Sequence, residues 1–158
     1  MKTPINGARL SSSFGKRKHP ILGYTKMHTG TDFAAPTGTP IMATADGRVE
    51  KSAYTRANGY YVKIKHNDTY STQYLHMQKN GRVKKGQYVK QGDVIGRIGM
   101  TGNTSGPHVC YRFWKNNRQV DPFKQKLPAG KPVPSELKVN FEIYKVPLEE
   151  TLNQINFE

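Results

Sequence analysis

Cysteine is almost missing from this chain of 158 residues, and the single thiol, Cys110, excludes an internal disulfide and any zinc site made of cysteines alone. No apolar run approaches the roughly 18 residues that would span a bilayer, so no transmembrane segment is expected. The first ten residues also lack the apolar core of a signal peptide. Acidic residues are scarce, with 11 Asp and Glu against 25 Lys and Arg, a net charge of +14. That surplus favours polyanionic partners through long-range attraction. The charges form no block and no recognition motif accompanies them, so nucleic acid is not expected. Convincing helical periodicity is absent between residues 40 and 115.

What is present is a strand-and-turn rhythm. The 15 glycines and 10 prolines are too many for a helical bundle, and the length suits one domain with a tail. "GRVEKSAY" (47–54) runs into "RANG", a hairpin signal, and "YYVKIKH" (60–66) follows with period-two alternation. "STQYLHM" (71–77), "DVIGRIG" (93–99) and "HVCYRFWK" (108–115) read as further strands. Turns initiated by Gly86 and Gly92 suggest a closed, strand-rich shell. The stretch 11–30 reads as one short strand and then an irregular loop carrying His28. The fold expected is mainly β, an antiparallel β barrel-sandwich hybrid with an open groove. Residues 1–122 form its domain; residues 123–158 form an appendage, with a short helix beginning at Pro147.

Polar residues with metal-binding chemistry recur on these strands. "HTGTD" places His28 and Asp32 four apart, and Gly30 with its two threonine neighbours argues against a helix there. In an extended segment, residues i, i+2 and i+4 share a face, so His28 can join Asp32, and His108 can join Cys110. His76 ends another strand. Imidazole, carboxylate and thiolate converging in this way suit zinc. Cys110 alone also fits a packed core thiol or a nucleophile beside a histidine. His19 and His66 read as turn or hydrogen-bonding residues, and Tyr60, Tyr61, Tyr74, Tyr111, Phe113 and Trp114 as core or groove wall. Arg17 fits either a structural role or a meeting with a carboxylate near the groove.

"HTGTDFAAPTGTPIMATADGRV", "YLHM" and "TGNTSGPHVCYRF", in that order, resemble the core of the lysostaphin and LytM-like zinc endopeptidases. The resemblance runs from about residue 9 to 121. It implies an enzyme that hydrolyses peptide cross-links or stem peptides of bacterial peptidoglycan, an acidic cell-wall polymer, at a zinc ion in an open groove. Residue by residue, His28 and Asp32 match two zinc ligands, and His76 and His108 match the catalytic histidines beside the metal. The third ligand of the family is a histidine, and Cys110 stands at that position. Thiolate is as good a zinc ligand as imidazole, but a second anion leaves the bound centre near neutral and weakens it as a Lewis acid.

The main alternative is a degenerate relative that binds peptidoglycan or activates another hydrolase without cutting. A carrier domain of the biotinyl or lipoyl kind is a third reading, since "VKKGQYVKQGDVIGRIGMTGN" is similar to one half of those folds. Their acceptor turn sets a lysine beside a methionine, whereas Met100 stands between Gly99 and Thr101. The substrate implied lies outside the cytoplasmic membrane. The expected location is therefore the periplasm or extracellular envelope, with the chain a catalytic module from a longer exported precursor.

Overall fold

The computed structural model describes residues 3–7, 9–18 and 25–125. Among the described residues, twelve strands run in chain order: β1 Arg9–Ser12, β2 Gly15–Lys18, β3 Thr25–His28, β4 Thr31–Ala34, β5 Pro40–Met42, β6 Gly47–Thr55, β7 Gly59–Lys65, β8 Tyr70–Met77, β9 Tyr88–Val89, β10 Val94–Arg97, β11 His108–Lys115 and β12 Arg118–Val120. A 3-10 turn at Pro122–Lys124 follows, with the Asp121 carboxylate accepting from the Phe123 amide at 2.9 Å. The appendage from residue 126 onward, with its expected helix at Pro147, lies outside the described residues, as does His19.

Eight strands form one antiparallel sheet in the order β1-β4-β11-β8-β7-β6-β9, with β12 hydrogen-bonded to β11. The sheet is open, not the closed shell that the glycine rhythm suggests. Closure would require β9, only two residues long, to reach β1. Instead the chain turns at Gly92 (φ 93°) and β10 forms a separate ladder with β5. The segment before His28 is also more regular than expected: β2 and β3 pair, with Gly15 opposite His28, so His28 ends a strand.

Alternation sorts the side chains into two faces. On β11, Val109, Tyr111 and Phe113 are buried, while His108, Cys110, Arg112 and Trp114 share the other face. Ile41, Val49, Val62, Ile64, Tyr74 and Ile95 are each at most 1% exposed and fill the core. Burying each such side chain stabilises the fold by roughly 1.5–3 kcal/mol. Inside this core lies a polar network. The Tyr74 hydroxyl meets the Thr44 amide and hydroxyl and the Thr72 hydroxyl, each at 3.0 Å, and Thr44 also meets the Tyr111 hydroxyl at 3.1 Å. His66 bridges from Thr72 (2.8 Å) to the Asp46 carbonyl (2.7 Å), the local hydrogen-bonding role its sequence position suggests.

The β6–β7 hairpin closes through residues 56–58, with Thr55 opposite Gly59. Gly59 adopts φ 64°, and a side chain there would run into the backbone of Thr101. Its tip is therefore seated against the loop that precedes β11, which forms one wall of the groove.

Candidate metal centre and groove

Three strand ends bring His28, Asp32 and Cys110 together. Asp32 on β4 pairs directly with Cys110 on β11, so their side chains share a face. The β3–β4 turn folds His28 back over them. His28 Nε2 lies 3.2 Å from Asp32 Oδ1 and 3.8 Å from Cys110 Sγ. The three candidate ligand atoms all lie within 4.8 Å of one another. Gly30 permits this packing, because a Cβ there would sit 2.5 Å from the sulfur.

Hydrogen bonds to the backbone set the histidine tautomers. His28 Nδ1 lies 3.0 Å from the Ser13 carbonyl, His76 Nδ1 2.8 Å from the Thr101 carbonyl and His108 Nδ1 2.9 Å from the Gly106 carbonyl. A carbonyl only accepts, so each Nδ1–H donates, and the neutral ring keeps an Nε2 lone pair free. His28 Nε2 faces the buried Asp32 Oδ1, which has no hydroxyl or amide donor among the described residues. An imidazole nitrogen, a carboxylate oxygen and a sulfur at this spacing form a donor set that a cation completes. His, Asp and Cys are all zinc ligands, and a carbonyl behind the histidine is the usual orienting partner. The residues fit a metal.

The ionisation states follow the same packing. Burial alone raises the Asp32 carboxyl, but the His28 ring, the Cys110 thiol and His108 outweigh it and hold the carboxyl below its ordinary range. Burial, reinforced by the Asp32 charge, pushes the Cys110 thiol up to about 12, against the pull of the Arg112 guanidinium. Cys110 is 4% exposed. Such a thiol is no ready nucleophile, since the thiolate is the reactive form. Burial also lowers the His76 pKa, with His108 and Arg112 acting in the same direction, so its ring is held neutral.

His76 reaches the site through a break in the β ladder. Tyr60 pairs with Met77 and Val62 with Tyr74, which leaves Leu75 and His76 together opposite Tyr61. This β-bulge places His76 at φ 61°. Its ring lies 4.8 Å from that of His108, centroid to centroid, while His108 Nε2 lies 3.9 Å from Asp32 Oδ1. All five residues singled out in the sequence thus gather in one region. His28, Asp32, His76 and His108 line a cavity of about 510 Å³, and Cys110 is packed beneath its floor.

The groove contains more positive charge than the motifs announce. Arg17, Lys26 and Arg112 line it, with Asp32 as the single acidic lining residue among those described. Arg17 reaches to 3.9 Å from Asp32. Arg112 went unnoticed in the sequence, although its place two residues after Cys110 on a strand puts it on the groove face. Of the aromatic residues read as core or groove wall, Tyr74, Tyr111 and Phe113 are in the core and Tyr61 packs with Leu75 and Cys110.

An open antiparallel sheet with a metal-ready cluster and two histidines beside it has the form of a metallopeptidase site. Residues 26–122 match Peptidase family M23, and the chain belongs to that family. Over 142 residues it is 45% identical to the peptidoglycan DD-endopeptidase ShyC of Vibrio cholerae serotype O1, a match covering 89% of this chain and 33% of the relative. Among solved structures, a zinc-containing peptidase from Vibrio cholerae superposes with a TM-score of 0.74 at 42% identity, covering 80% of this chain and 40% of the other. The catalytic domain of lysostaphin from Staphylococcus simulans gives 0.65 at 30% identity, covering 75% and 91%. The chain spans about a third of the length of the curated relatives it matches. Family membership and the zinc-containing relative imply a metal.

Proposed function

We propose that the chain is the catalytic domain of a zinc-dependent endopeptidase that hydrolyses peptide cross-links or stem peptides of peptidoglycan, in the periplasm or extracellular envelope. The observation that carries this reading is the convergence of His28, Asp32 and Cys110 with two histidines whose Nδ1 atoms are tied to backbone carbonyls. Support for the substrate comes from the relatives, named as peptidoglycan DD-endopeptidases. Residues 1–122 form the peptidase domain and residues 123–158 are appended to it.

His28 Nε2, an Asp32 carboxylate oxygen and Cys110 Sγ would hold the ion. Bound there, zinc supplies a Lewis acid for the scissile carbonyl and a more acidic water. His76, held neutral, accepts a proton at Nε2 from the attacking water. His108 shares this wall, and its Nε2 hydrogen-bonds the developing oxyanion once protonated. Thr104, 3.0 Å from His108 Nδ1, and the Gly106 carbonyl keep that ring oriented.

A second reading rests on Cys110. A thiolate beside Asp32 cancels the charge of a divalent ion, and a weaker Lewis acid suits a domain that binds the wall without cutting it. Muropeptide release from purified sacculi, with zinc content measured in parallel, separates the two. The endopeptidase reading predicts about one zinc per chain and soluble muropeptides from the wild type. His108→Ala should retain the metal but lose activity by about 10²-fold or more. Zinc-loaded wild type that releases nothing would leave the binding reading.

A further inference from the structure

We propose that Arg112, with Arg17 and Lys26 in the same groove, forms a subsite that reads a free carboxylate on the peptide substrate. The inference rests on the endopeptidase reading and names what that site selects.

Arg112 lies on the groove face of β11, two residues beyond Cys110 and opposite Gln73 of β8. It is half-buried, its Nε is buried without a hydrogen-bond partner, and no carboxylate among the described residues lies within 4 Å of it. A guanidinium has five donors in a planar fork that matches a carboxylate, and a neighbouring sulfur occupies little of that capacity. Lys26 on β3 and its ladder partner Arg17 on β2 line the same cavity. The Arg17 side chain is 52% exposed and can swing within the groove. Asp32, the single acid in the described lining, belongs to the candidate ligand set, 3.2 Å from His28 and 3.9 Å from both His108 and Arg17.

Three cations therefore line a cavity with one acid among its described lining residues, and that acid is a candidate metal ligand. Such a cleft focuses a positive potential on whatever enters it. A neutral peptide backbone gains little from that field. A peptide with a free carboxylate near the scissile bond gains one or two charge-assisted hydrogen bonds, and its charge offsets the groove's surplus.

The test uses peptide dimers of one sequence in three forms: with all carboxylates free, with the side-chain carboxylate next to the scissile bond amidated, and with the terminal carboxylate amidated. Hydrolysis by the zinc-loaded full chain should show a KM about tenfold lower for the free acid than for one of the amides, and that amide identifies the carboxylate being read. Arg112→Gln should collapse the acid-to-amide ratio toward one through KM. Arg17→Gln, a change at an exposed position, should reduce it partially. Equal KM values for all three forms in the wild type would overturn the proposal, as would a full ratio retained in both variants. Fluorescence anisotropy of the labelled dimers reads binding without turnover. If no form is cleaved, the endopeptidase reading fails, whereas preferential binding of the acid form, lost in Arg112→Gln, would still support the subsite and equal binding would overturn it.

Discussion

Gly30 and Cys110 define the tightest point of the site. A methyl group at position 30 would stand 2.5 Å from the sulfur and 3.2 Å from the Tyr111 carbonyl, so Gly30→Ala must displace Cys110 or the strand beside it. Overpacking of this kind costs about 1–3 kcal/mol. The expected outcome is a lower Tm together with weaker zinc binding in a chelator competition; unchanged zinc affinity would mean that Cys110 Sγ is not held where the metal sits. At this scale the site was legible in part. Alternation in "HVC" puts His108 and Cys110 on one face, whereas His28 and Asp32 lie on different strands and meet through the β3–β4 turn, so it was the resemblance of the ordered motifs that brought all four forward. Arg112 obeys the same alternation, yet its importance depends on which groups line the groove with it. That depends on pairings between distant parts of the chain.

The elements show where local pattern stops being sufficient. Strict alternation from the buried Tyr74 would send His76 into the core, and the bulge at Leu75 and His76 redirects it to the groove. A left-handed backbone costs a residue with a Cβ roughly 1–2 kcal/mol. His76→Gly should therefore be about 1 kcal/mol more stable to denaturant than His76→Ala, with both inactive; the reverse order would argue against the bulge. The buried network makes a second prediction. Tyr74→Phe leaves the Thr44 amide and hydroxyl and the Thr72 hydroxyl short of a partner, and should cost about 1–3 kcal/mol of unfolding free energy. The β6–β7 hairpin around Asn58–Gly59 was readable from turn residues and period two. The β11–β12 hairpin carried a comparable signal in Asn116 and Asn117, both at positive φ. The open sheet was harder to foresee, because the glycine turns that suggest closure are the same turns that lead β10 away to β5.

Across the whole molecule, charge and titration set the working conditions. Burial holds His66 below its usual pKa, although the Asp46 carbonyl and carboxylate pull the other way. The sign follows directly: below about pH 6.5 the unfolded chain takes up a proton that the folded chain resists, so stability falls as the solution is acidified from pH 7 toward the depressed folded value. His66→Gln, measured with chelator present, should flatten part of that slope. With a net charge of +14, association with an acidic polymer should weaken as salt rises, while cleavage of a short neutral peptide should change little.

All of these scales meet at Cys110, and zinc-edge X-ray absorption of the zinc-loaded protein tests its role most directly. With Cys110 as a ligand, the expected shell has one sulfur scatterer at about 2.3 Å with nitrogen and oxygen scatterers near 2.0–2.2 Å, the sulfur vanishing in Cys110→His. A wild-type shell of nitrogen and oxygen alone would contradict it.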